Sequence, residues 1–285
     1  MSPQETQRSG ARPGPSVDEL LDDLDAERAA VMALVRELPR ASWTLPTRAE
    51  PWTVRDQIAH LAWFDGAFAR AVSTPAEFEA ERDAITDVAD FMDRTLREVP
   101  EVGPAALASW QDAARAFDRA ARACDPSARL PWYGPSMSLR SAITSRMMET
   151  WAHGTDVADA LDARLAPSER LRHVADLAVR ARPQGYRVRG LPVSETPVLV
   201  TLTGPSGTAW TWAPGVSGVA SQTSSVRNAT QTNSVVGDAE EFCLVLARRR
   251  HVDDTALEVS GDAAREWMEI GQAFAGTPGK DPVRT

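Results

Sequence analysis

Residues 146–156 read Arg-Met-Met-Glu-Thr-Trp-Ala-His-Gly-Thr-Asp. On an α-helix Arg146, Glu149, His153 and Asp156 step by three, four and three residues, so they share one face. Around that polar row stand Ile143, Met147, Met148, Trp151 and Val157, which make the helix a largely buried one. The pattern begins near Ser138 and runs to about Ala163. An ionisable row on an interior helix demands a partner, and it fixes where the rest of the chain has to pack.

Working outward, the first half is helical by spacing. Val17, Leu20, Leu21, Leu24, Val31, Leu34, Val35 and Leu38 repeat at helical intervals, with Ser16 and Glu19 as a capping box and Pro39 beyond the end. A second helix opens at Thr53, with Asp56 as its box partner, and carries Val54, Ile58, Leu61, Phe64, Phe68 and Val72. A third is expected from Ala76 to Val99, and a fourth after Pro104 with Leu107, Trp110, Ala114, Phe117 and Ala121 inward. Short connections between such helices favour an antiparallel bundle.

The pattern changes after residue 183. Pro197 to Gly204 reads as a strand, turns at Pro205-Ser206-Gly207, and returns as Thr208 to Trp212. Residues 213–233 are rich in Ser, Thr, Gly and Asn and read as a long mobile loop. Asp238 to Arg249 is helical, Ala256 to Ser260 a strand and Asp262 to Phe274 a last amphipathic helix. The expected class is therefore α+β: a disordered lead-in over 1–15, a helical bundle over 16–183, and a smaller α+β domain over 184–285.

Composition removes several functions. The chain has 285 residues, 43% hydrophobic and 25% charged, with a net charge of −9; that balance argues against nucleic acid, whose phosphates need a basic surface. No run reaches the roughly 18 apolar residues of a membrane span, and no signal-peptide core is seen, so a cytoplasmic protein with no membrane partner is expected. Cys124 and Cys243 form no metal or redox motif. Both read as small core residues, Cys124 at a helix end and Cys243 in an apolar helical run. The glycosylation pattern at Asn228 has no secretion signal to go with it. Lys280 is the only lysine, which excludes Schiff-base chemistry at an interior lysine and a Gly-Lys-Ser/Thr phosphate loop. The arginine-rich, lysine-poor bias hints at a GC-rich genome such as an actinomycete's.

Glu149 and His153, four apart on one face, present their side chains to one point and can share an ion. A further ligand must come from another element, and His60 in the second helix is the one good candidate. Two neutral imidazoles and a carboxylate with an open position form a donor set suited to catalytic zinc or a similar divalent ion. The competing reading needs no metal: Arg146, one turn away, neutralises Glu149, and His60 is a satisfied core histidine. Spacing alone leaves both open.

The stretch Trp-Thr-Val-Arg-Asp-Gln-Ile-Ala-His-Leu at 52–61, followed by Glu-Thr-Trp-Ala-His-Gly-Thr-Asp at 149–156, resembles the signature of the DinB-like superfamily. The branch it resembles is the mycothiol-dependent maleylpyruvate isomerase type, in an actinobacterial group, with residues 240–268 carrying the C-terminal part of the likeness. The resemblance spans residues 17 to 277. It implies an N-terminal metal-binding bundle, a C-terminal domain like sterol carrier proteins, and His60, Glu149 and His153 as metal ligands. It further implies zinc, with mycothiol as a thiol cosubstrate whose thiolate adds to the substrate and leaves again or forms a lasting conjugate. Residues 216–234 depart from that group, so the family's substrate does not carry over with the fold.

The function expected from these readings is a metal-dependent isomerase or thiol transferase acting on a small molecule, as a monomer or homodimer. Arg146 would receive a substrate carboxylate, and Asp156, or Asp56 one turn before His60, would take the N–H of a ligating imidazole. One alternative uses the ion directly as a Lewis acid for cyclisation, isomerisation or hydrolysis without a thiol. Another is a non-catalytic small-molecule-binding protein. The run Arg248-Arg249-Arg250-His251 reads either as an anion site or, more simply, as a solvated helix end. A cleft between bundle and second domain is expected, lined by Arg146 and part of 210–234.

Overall fold

The computed structural model describes residues 14–213 and 233–278, together with Pro282 and Arg284. The expectations for the lead-in over 1–13, for the loop over 214–232 including Asn228, and for Lys280 lie outside the described residues.

Helices α1 (Val17–Val35) and α2 (Val54–Ser73) both start at the boxes read from the sequence: Ser16 with Glu19, and Thr53 with Asp56. In each, a hydroxyl accepts from the third amide while the acidic side chain accepts from the cap amide, so two otherwise orphaned donors are satisfied. The single third helix expected over 76–99 is corrected to two, α3 (Pro75–Asp83) and α4 (Val88–Arg97). Asp87 accounts for the break. Its carboxylate accepts from the amides of Ala89 and Asp90 and caps a new helix, instead of continuing the old one. Helices α5 (Gly103–Ala123) and α6 (Leu139–Ala160) complete the bundle, joined by a short β1 (Arg129–Leu130) and β2 (Met137–Ser138) ladder. α2 packs along α5 and α6, and α1 along α6 and α5.

Helices α7 (Leu171–Arg180) and α8 (Arg182–Arg187) were not read from the sequence. The four-stranded sheet runs β4-β3-β5-β6: β3 (Leu199–Thr203) pairs antiparallel with β4 (Ala209–Trp212) and parallel with β5 (Ser234–Asp238), which pairs antiparallel with β6 (Glu258–Ser260). Of these β5 is the unforeseen strand. Helices α9 (Ala239–Leu246) and α10 (Asp262–Ile270) cover the sheet. A helical N-terminal part with a small mixed sheet behind it is thus the α+β class expected.

One buried cluster joins the parts. Met148, Trp151 and Ala152 of α6 and Val174, Ala175 and Ala178 of α7 pack with Leu202, Trp210, Val235, Phe242 and Trp267. The helix bearing the 146–156 stretch therefore has an apolar face against the second part and a polar face against α2. None of the helices is long and apolar enough to cross a membrane among the described residues.

Candidate metal centre

Val54, Ile58 and Leu61 of α2 are fully buried, and this locks the rotation of the helix so that His60 faces α6. Glu149 and His153 come up from the opposite side. His153 Nε2 lies 3.1 Å from Glu149 Oε2, and His60 Nε2 lies 3.7 Å from the same oxygen. One ligand atom from each of the three residues falls within 4.8 Å of the others. Two ligands about 2.1 Å from one tetrahedral ion stand about 3.4 Å apart, so the observed pair of separations brackets that value. Rings hold the imidazoles from outside: between centroids, Trp52 stacks 5.8 Å from His153 and lies tilted 5.1 Å from His60, and Phe64 lies 4.5 Å from His60.

The hydrogen-bond network fixes which nitrogen of His153 carries a proton. The Thr47 hydroxyl donates to the Trp52 carbonyl at 2.8 Å, so its lone pair accepts from the Gln57 amide nitrogen, also at 2.8 Å. That orients Gln57 Oε1 toward His153 Nδ1, 2.5 Å away. An amide oxygen accepts only, so Nδ1 donates and Nε2 is left with a lone pair. This lone pair faces the Glu149 carboxylate. Protonating the ring would relieve the clash of two acceptors, but burial pushes the His153 pKa down to about 3, aided by the neighbouring His60. Burial likewise lowers His60. For Glu149, burial raises the pKa, but the neighbouring His153 and His60 outweigh it and hold the carboxyl well below its usual range. Two neutral imidazoles and one carboxylate make a donor set that fits a divalent ion.

The partners assigned from sequence are partly wrong. Asp156 does not hold His153. Its nearest oxygen is 3.8 Å from Nδ1, and both its oxygens are taken by Arg249, at 3.2 and 2.6 Å. Asp56 is spent on capping α2, accepting from the Thr53 amide and hydroxyl, and it pairs with Arg55. The residue orienting His153 is Gln57, three before His60 on the same helix; only its i,i+3 placement beside His60 hinted at this. Arg146 does not neutralise Glu149 but ion-pairs with Asp65 at 2.9 Å, in a hub where the fully buried Asp65 also takes Arg28 and the Trp110 indole, each at 3.1 Å. Removing Arg146 from that role leaves the carboxylate of Glu149 without an arginine partner among the described residues. The basic run is neither an anion site nor a solvated end: Arg249 and Arg250 clamp Asp156 and Asp159 of α6. Both cysteines are free, and neither reaches this place; burial pushes the Cys243 thiol well up.

A cavity of about 560 Å³ opens onto His60, Glu149 and His153, with Arg146 in its wall. Its border from the second half is Arg249 and residues 274–277; none of the described residues of 210–234 lines it, contrary to expectation.

Comparison with known proteins bears on this geometry. The sequence model of the family described as Mycothiol maleylpyruvate isomerase N-terminal domain matches residues 24–158, which contains all three clustered side chains. The chain is 39% identical over 272 residues to a Mycobacterium tuberculosis protein called uncharacterized, Rv0036c in strain H37Rv and MT0041 in strain CDC 1551, covering 95% of this chain and 99% of the relative. Among solved structures, the mycothiol-dependent maleylpyruvate isomerase superposes with a TM-score of 0.55 at 17% identity, covering 82% of this chain and 90% of the other. A histidine-to-alanine mutant of that isomerase matches with the same score and identity, over 88% and 94%. At that identity the likeness establishes the fold.

Proposed function

The chain belongs to the mycothiol maleylpyruvate isomerase N-terminal domain family, and from that premise we propose a metal-dependent enzyme of thiol-dependent isomerase or transferase type, acting on a small organic molecule. His60, Glu149 and His153 hold a divalent ion, zinc in the first place. The observation that carries this is the pair of acceptors, His153 Nε2 and Glu149 Oε2, facing each other at 3.1 Å with the ring's proton held on the far nitrogen by Gln57. Such a contact is repulsive without a cation between them.

When bound, the ion supplies Lewis acidity and lowers the pKa of a thiol brought to its open position. The protein's own groups do the rest. Gln57 keeps the imidazole tautomer that ligates, Trp52 and Phe64 keep water from the outer face of the rings, and the cavity admits the thiol and the substrate from the other side. The thiol is external, mycothiol by family, because Cys124 and Cys243 lie elsewhere. Reaction takes place in the cytoplasm, on a small-molecule substrate, with no nucleic acid or membrane partner.

Purification without chelators, followed by elemental analysis, tests the reading. Parent protein should carry about one ion per chain, and His153→Ala close to none, with helical circular dichroism retained because the apolar stripes hold the bundle. Equal metal content in parent and His153→Ala would overturn it. Thiol consumption in the presence of candidate electrophiles, lost on chelation, then separates the thiol enzyme from a Lewis-acid enzyme that runs without one.

A further inference from the structure

The cavity says more about the substrate than the metal cluster does. From His60 a wall of rings leads away: Phe64 at 4.5 Å between centroids, then Tyr133 at 5.7 Å and Trp132 at 6.3 Å from Phe64, with Phe91 5.2 Å from Tyr133. All of these line the cavity, joined by Ile85, Val88 and Met92. Burial pushes the Tyr133 phenol up to about 12, so that wall carries no charge at neutral pH.

The cations point the same way. Three arginines line the cavity among the described residues: Arg82, Arg146 and Arg249. The inner two are already neutralised by buried carboxylates, Arg146 by Asp65 (0% exposed) and Arg249 by Asp156 (1%). Stripping either arginine from its aspartate to serve a substrate would leave a buried charge alone, which costs far more than an exposed pair returns. Arg82 is the exception. Its carboxylate partner Asp83 is exposed and its other contact is a 3.4 Å hydrogen bond to the Trp132 carbonyl, so the guanidinium is weakly held and can turn to one anionic group.

Val88 provides an independent sign of an occupant. At 57% it is the most exposed large hydrophobic residue among those described, and it borders this cavity rather than a bare surface. It stands at the first position of α4, which exists only because Asp87 breaks the expected long helix. An apolar side chain left uncovered beside a ring-lined cavity is matched by an apolar ligand.

We propose that the substrate is a ring-bearing, largely apolar molecule with at most one anionic group, lying along Phe64, Phe91, Trp132 and Tyr133, rather than a small dicarboxylate. This deepens the enzymatic reading above and rests on it for the word substrate, but the recognition itself is testable apart from the metal. The probes are 2-naphthol, as a neutral ring, and maleate, as a small dicarboxylate. Each is titrated by calorimetry into full-length parent, His153→Ala, and Val88→Asp. Val88→Asp should fold, since an exposed acid in the first turn suits the helix dipole.

Binding of 2-naphthol to parent and His153→Ala alike, weakened about tenfold or more by Val88→Asp, is the expected result, with maleate binding neither protein tightly. A parent that carries no ion when purified without chelators, yet binds 2-naphthol in this Val88-dependent way, would sink the metal enzyme and leave the ring-recognising cavity standing. Tighter binding of maleate than of 2-naphthol by His153→Ala, or 2-naphthol binding indifferent to Val88→Asp in a protein with its metal in place, would overturn the proposal.

Discussion

At the scale of single residues, Gln57 carries more than its type announces. It is fully buried and reads as one more polar residue on α2, yet it alone decides that His153 offers a lone pair to the centre. Gln57→Leu keeps the volume and removes the acceptor, so zinc affinity should fall about 10–100-fold while the thermal unfolding of the metal-free protein changes little; a competition titration against a chromophoric chelator reads this directly. The same residue-scale chemistry sets a pH dependence. In the folded metal-free protein burial brings His153 from 6.5 to about 3, whereas the unfolded chain protonates it near its ordinary value. Between those values the unfolded state binds the extra proton, so stability is full above about pH 6.5 and falls as pH drops toward 3. Denaturant midpoints measured across that window should decline less steeply in His153→Gln than in the parent; parallel curves would mean that His153 titrates normally.

At the scale of elements, the crossing of α1 and α6 decides how closely the two ligands of α6 are held. Gly154, next to His153, lies where a Cβ would come within 2.4 Å of Val31 Cγ2 and 3.2 Å of Leu165 Cδ1. Val31 is buried, and its β-branched side chain has little freedom to yield. Gly154→Ala gains up to about 1 kcal/mol of helix propensity but forces the helices apart at a cost of about 1–3 kcal/mol. The expected net is a destabilised protein with weakened metal binding, seen as a lower melting temperature and a lower metal occupancy together. A variant more stable than the parent would show that the α1–α6 contact adapts freely. The break between α3 and α4 belongs here as well. Apolar spacing continued through residues 84–87, and it was the local competition of Asp87 for backbone amides that ended one helix and began another.

At the scale of the molecule, the change of pattern near residue 183 is a change of element type inside a shared core. Met148, Trp151 and Ala152 on α6 pack in the same buried cluster as the sheet and α9, and Arg249 and Arg250 reach back to Asp156 and Asp159. A fragment ending at residue 183 would expose that cluster and strand Asp156 buried without its arginine. It should be poorly soluble and lose its metal, whereas the full chain unfolds in one transition. A soluble fragment that binds zinc as the parent does would show that the bundle needs no support from the sheet.

Much of this was legible beforehand because it depends on neighbours in sequence. Helix starts at Ser16 and Thr53, the apolar stripes, and the shared face of Glu149 and His153 follow from local spacing and local hydrogen bonds, which any fold must respect. The class of the protein came through the same periodicities; they offered His60 only as a candidate partner for that face, and the likeness of two short stretches to a known family favoured it. What spacing does not encode is the choice among polar partners of equal chemistry. Asp156 was as good a candidate for His153 as Gln57, and Arg146 as good a neutraliser for Glu149 as a metal, until packing set Arg249 against Asp156 and Asp65 against Arg146. Those contacts link residues 81 and 93 positions apart. Which of several like charges meet is decided by how helices rotate and cross when their apolar faces are buried, and only the tertiary structure carries that information.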